Sequence, residues 1–134
     1  MASDYLEDKI NDHILGKTSF TMPQAFIALC TSSVSDAHTG ATLPEVSNAN
    51  NYARVTTTNT DWGASSGGTS TNAAALTFGQ ASGTWGTASY FAIIDSATHG
   101  AGNVLASGTI GTPKLIQAND TPSFAIGELS VVTT

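Results

Sequence analysis

Positive charge is what this sequence has least of. One arginine, Arg54, and the lysines Lys9, Lys17 and Lys114 stand against ten acids, for a net charge of −6. Phosphate backbones and anionic lipid surfaces are held by clustered cations. Four dispersed ones form no cluster, so neither nucleic acid nor a membrane surface is an expected partner. No apolar run approaches the roughly 18 residues of a membrane span. The first stretch, MASDYLEDKINDHILG, is acidic where a secretion signal is basic, which predicts synthesis in the cytoplasm without signal-directed export. Cysteine is nearly missing as well. Cys30 alone excludes an internal disulfide and any multi-cysteine zinc site, and its place inside AFIALC reads as a small buried hydrophobe rather than a reactive thiol.

Charged residues of both signs make up 10% of the chain, against about 25% in ordinary soluble domains, and the chemistry available is correspondingly thin. There is no GxSxG elbow, and no histidine and acid stand in a motif that activates a serine. SSGG and HGAG lack the lysine of a phosphate loop and open no helix, so they read as turns. Glu7 and Asp8 fall on an exposed helix face, and a glycosidase pair would have to be assembled from single carboxylates such as Asp61, Asp95 and Asp120. Asp36 and His38 share a loop, while His13 and His99 lie far from it; these are too few converging donors for a metal. The expectation is a protein that is not an enzyme, with no cofactor and no metal site.

Hydroxyls replace the missing ions: 20 Thr and 15 Ser in 134 residues. The length fits one domain. Leu, Ile, Val and Phe together make about a fifth of it, the level at which a core barely offsets chain entropy. Association with copies of itself or with a larger partner would then supply part of the stability. One helix is expected near the start. Ser3 can cap it, Asp4, Glu7 and Asp8 suit its positive end, and Gly16 stands where a left-handed residue ends a helix. Leu6, Ile10 and Ile14, with Tyr5 and Leu15 beside them, form one apolar stripe that should dock on the sheet or on a neighbour.

From residue 25 the apolar period changes to two. Strands are expected at 25–32, 52–58, 74–78, 87–95, 103–110, 113–118 and 123–132, the first covered on both faces. Two long polar loops, 32–50 and 60–72, lie between them, and loops of that length in a compact domain are usually functional. The fold class is mainly β: an antiparallel β-sandwich or jelly-roll-like barrel of about seven strands with one short N-terminal helix. The chain divides into a helical arm, 1–16, and a β-sandwich, 17–134, within a single structural domain. Trp85 leads into the most apolar strand and should plug one end of the sandwich. Trp62, in a loop, either plugs the other end or stacks on a partner or a sugar.

The order of segments, MPQAFIALCTS, SDAHTGATLPEVS, NYARVT, AAALTFGQASGTWGTASYFAIIDSATHGAGNVLASGTI and PKLIQANDTPSFAIGELSVV, resembles a family of small tailed-phage virion structural proteins over residues 10–132. The resemblance implies a β-sandwich virion protein, with members acting as capsid decoration (cement) proteins or as tail and fibre components. The leading expectation is a capsid decoration protein, made in the host cytoplasm. It would bind the outside of the phage head between capsomers as a homotrimer, with the major capsid protein lattice and copies of itself as partners. The alternative is a receptor- or glycan-binding component of the tail tip or fibre. Leu6, Ile10, Ile14 and Trp62 are the interface candidates. In the family pattern YAR follows the long loop, so Arg54 would sit at the loop's base as a structural pin, with subunit contact and ligand recognition as the other readings. Glu45, Asp61 and Asp95 are the acids it could reach.

Overall fold

The computed structural model describes residues 1–133. Helix α1 (Asp4–Ile14) opens as its caps dictate: Ser3 is extended and its hydroxyl accepts from the Leu6 N–H at 3.1 Å. It closes at Gly16, whose φ of +75° is one that side-chain-bearing residues rarely adopt. Among the described residues eight strands follow: β1 (Phe26–Cys30), β2 (Val55–Thr56), β3 (Thr69–Thr71), β4 (Leu76–Thr77), β5 (Gly86–Ile94), β6 (Val104–Ile116), β7 (Ser123–Phe124) and β8 (Ser130–Val132). All their pairings are antiparallel, so the fold is mainly β with one short helix. The main sheet runs β2–β1–β5–β6, and β3–β8 and β4–β7 form two separate pairs.

The expected strands at 52–58 and 74–78 shrink to Val55–Thr56 and Leu76–Thr77, and the architecture departs from the sequence reading in three further places. The expected strands at 103–110 and 113–118 are one strand, β6, with a bulge. Ala88 pairs with Lys114 and Tyr90 with Thr109, so four residues of β6 stand opposite Ser89 alone. The Gly111-Thr112 break is absorbed there without ending the strand. The expected strand at 123–132 is instead β7 and β8, which join different sheets across a turn. Finally, β3 lies inside what reads as the polar loop 60–72, where Thr and Ser carry a ladder that no apolar alternation announces.

Alternation along β1 and β5 builds two cores. Ile27, Leu29, Phe91 and Ile93 face a large cluster with Phe78, Trp85, Phe124 and Leu129. Ala28, Cys30, Ala92 and Ile94 face a smaller one closed by Val34 and Leu43 from the long loop. Both faces of β1 are therefore buried, as its unbroken apolar run predicts. Each fully buried Leu or Phe contributes roughly 1.5–3 kcal/mol. The chain start is tied to β6: Ser3 N–H donates to Leu105 O at 3.0 Å, the Ser3 hydroxyl to Val104 O, and the Met1 ammonium to Ser107 O at 2.7 Å. No helix among the described residues is long and apolar enough to cross a membrane.

Candidate functional site

Arg54 immediately precedes β2 and stands two residues after Tyr52, a spacing that in extended chain puts both side chains on one side. There they meet the same carboxylate. Arg54 Nε donates to Glu45 Oε2 at 3.0 Å and Nη2 to Glu45 Oε1 at 2.8 Å, a two-point pairing. Nη1 donates to the carbonyls of Ser96 and Ala101, each at 2.9 Å. The Tyr52 hydroxyl donates to Glu45 Oε2 at 2.6 Å and accepts from the Leu29 N–H at 3.0 Å. One guanidinium thereby links β2, the long loop that carries Glu45, and the β5–β6 connection. The loop approaches that connection closely at a second point: Gly40 donates to Gly102 O at 2.9 Å, and a Cβ on Gly40 would stand 2.0 Å from Ala101 O.

This cluster is shielded from water, the Arg54 and Glu45 side chains being 0% and 2% exposed. Burial, and after it the Glu45 carboxylate, pushes the Tyr52 phenol well above its ordinary range, so it stays a donor. Burial likewise pushes the Cys30 thiol up to about 12, with Glu45 adding to the effect, which leaves it protonated and unreactive. His99 closes the cluster on one side, its ring edge-on to Tyr52 and its Nε2 2.9 Å from Val46 O. Buried as it is, the pair ties the long loop to the β5–β6 connection.

Asp61, Asp95, His13 and His38 are also committed locally. The Asp61 carboxylate accepts from Thr58 N–H at 2.8 Å, and Asp95 accepts from the Asn103 backbone and side chain at 2.6 and 3.0 Å. His13 Nδ1 accepts from Phe20 N–H and His38 Nδ1 from Ser35 N–H. Among the described residues no three His, Cys, Asp or Glu side chains converge as a metal site would require.

Trp85 is buried, edge-on to Tyr52 with ring centroids 5.2 Å apart, and its Nε1 donates to Asn50 O at 2.8 Å. Trp62 is half-buried, packs against the rim of the large core, and lines an open groove of about 340 Å³ together with Pro23, Gln24, Thr58 and Asn59. The helix stripe is not buried on the protein's own sheet, one of the two placements the sequence allows. No residue of α1 is buried, Ile10 and Ile14 are 41% and 69% exposed, and Leu6 is half-buried. Tyr5 makes the apolar contact with the large core instead. Leu6, Ile10, Ile14 and Trp62 therefore do not form one surface with Arg54.

Two residues with buried polar roles have weaker sequence signals, Glu45 in the cluster and Asn72 outside it. Glu45 is one acid among several until the fold brings it under Arg54; the i, i+2 spacing of Tyr52 and Arg54 was the available clue. Asn72, 1% exposed, sits in the presumed loop. Its side chain donates to Ala74 O and Ala125 O and accepts from Leu129 N–H, at 2.8 to 2.9 Å. Only its position between polar residues and an apolar run hinted at a role.

Comparison with protein families matches residues 1–132 to the family described as podophage GP4 fiber I protein gp80. Comparison with curated proteins finds no match. The chain belongs to this fibre family, and with it to the structural proteins of tailed-phage virions. The expectation of a capsid decoration protein on the head surface is corrected by the same finding, since the family is named for a fibre and points to the tail.

Proposed function

We propose that the protein is a non-enzymatic component of a phage tail fibre that acts by binding, presenting a rigid β body to a receptor or glycan of the host surface. The observation that carries this reading is the fibre-family match across residues 1–132. The internal chemistry agrees with it. Arg54, Glu45, Tyr52, Asp61, Asp95 and Asn72 all spend their polar groups on holding loops in place, which suits a scaffold whose loops must keep their shape. We take the main sheet, with the β3–β8 and β4–β7 pairs over one face, as a small sandwich. Assembly with copies of itself, as a trimer, belongs to the same reading, because the aliphatic content is low for a chain of this length.

Particles produced without the protein should package DNA and keep the heat resistance of their heads, yet attach poorly to host cells, and attachment should return when purified protein is added back. Normal attachment together with genome release at a lower temperature would overturn the fibre reading.

A further inference from the structure

The groove beside Trp62 has the features of a small built site. The indole is fixed by a relay: Nε1 donates to Thr57 Oγ1 at 3.0 Å, and that hydroxyl donates to Ala25 O at 2.8 Å. Thr57 is itself buried. A two-sided clamp holds the turn before it, Asp61 accepting from Thr58 N–H while Asp61 N–H donates to Thr58 O at 3.0 Å. The ring is thus oriented before any ligand arrives, and ordering it costs nothing on binding.

On the rim stand the side-chain amides of Gln24 and Asn59. Both residues are exposed, and neither amide bonds to another described residue, so both are open to a ligand, whereas Asn50, Asn51, Asn72, Gln80 and Asn103 use theirs and Asn11, Asn48, Gln117 and Asn119 do not. Met22, 89% exposed, flanks the mouth. The groove is lined by eight residues, none of them charged, in a chain of net charge −6.

We propose that this groove is a saccharide subsite that takes one or two neutral sugar units of a host-surface glycan. The proposal rests on the binding-type fibre reading above and names its ligand class. The lining supplies no counter-charge for an anionic ligand, and the neighbouring Asp61 carboxylate is already spent on Thr58. An indole offers its electron-rich face to the C–H face of a pyranose, and free planar amides offer paired donors and acceptors to neighbouring hydroxyls. The volume lies at the low end of small-molecule sites, roughly 300–1,000 Å³.

The test uses the full chain labelled with ¹⁵N. It carries two indoles, so Trp85, held on Asn50 O, serves as an internal reference. Maltohexaose, cellotetraose, chitotetraose and a rhamnose tetrasaccharide are the neutral probes, with sialyllactose as the anionic one. At least one neutral probe should shift the Trp62 indole signal saturably and leave that of Trp85 in place. Gln24→Ala and Asn59→Ala, both at exposed positions, should each weaken binding about 2- to 10-fold, Trp62→Ala should abolish it, and Trp62→Phe should retain part of it. No shift of Trp62 with any neutral probe at tens of millimolar, or a shift with sialyllactose alone, would overturn the proposal. So would a shift with protein concentration in the absence of sugar, which would identify a second copy as the occupant. The attachment assay on whole particles reads the fibre proposal separately, so failure of one is distinguishable from failure of the other.

Discussion

Replacing Arg54 with methionine keeps an apolar stem of similar length and removes every donor at its tip. Four hydrogen bonds disappear at once: two to Glu45, one to Ser96 O and one to Ala101 O. The Glu45 carboxylate, 2% exposed, is left with the Tyr52 hydroxyl as its hydrogen-bond donor. Removing one member of a buried charge pair typically costs about 3–5 kcal/mol, because the survivor stays desolvated and uncompensated. For a domain of this size that corresponds to a fall in Tm of roughly 10–20 °C. Arg54→Lys should also destabilise, since a single ammonium cannot reach four acceptors arranged around a planar fork. The informative control is the double variant Glu45→Leu/Arg54→Met, in which no orphan charge remains; it should recover at least about half of the loss. Urea and thermal unfolding followed by far-UV circular dichroism measure all three. An Arg54→Met protein within about 1 kcal/mol of the parent would show that the pair does not hold the loops. A double variant no better than the single would show that the carboxylate left behind is not what destabilises it.

Cys30 sets an alkaline limit. Its folded thiol titrates near 12 against an ordinary 9.0, so the contribution is fully present below pH 9 and is lost as pH rises towards 12, at up to about 1.4 kcal/mol per pH unit. Cys30→Ala should flatten the stability profile in that window, and Cys30 in the native protein should resist thiol reagents until the chain unfolds. Ile14→Asp, at a 69% exposed helix position, should change stability by no more than about 0.5 kcal/mol, whereas Tyr5→Ala, which uncovers part of the large core, should cost about 1–2 kcal/mol; chemical denaturation separates the two. Asn72→Ala strands the Leu129 N–H and the Ala74 and Ala125 carbonyls and should cost about 2–4 kcal/mol, with amide exchange accelerating first in β3 and β8.

What the sequence discloses and what it hides follow from how far each feature reaches along the chain. The α1 caps, the buried run of β1 and the alternation of β5 are written in neighbouring residues, and local stereochemistry suffices to read them. The bulge in β6 is not local in that sense: Gly111-Thr112 is ordinary turn chemistry, and only the pairing of both flanks with β5 keeps it inside one strand. The β3–β8 ladder joins residues some sixty positions apart through Thr, Ser and Val whose period is masked by hydroxyls. Arg54 stands out because it is the lone arginine, yet its partner depends on where the long loop folds back, and the choice of Glu45 over Asp61 or Asp95 is made by tertiary structure. The exposed stripe on α1 has a related cause: Leu6, Ile10 and Ile14 repeat every four residues, but the helix is anchored at its N-terminal end through Ser3 and Tyr5, so the stripe swings clear of the core.

The central claim is a place in the virion, and a three-dimensional reconstruction of intact particles reads it directly. With the protein carrying a rigid fused tag, and untagged particles for comparison, the added density is predicted to lie on the tail, at the fibre positions, with the head lattice unchanged. Tag density repeated across the junctions between capsomers, with none on the tail, would contradict the account.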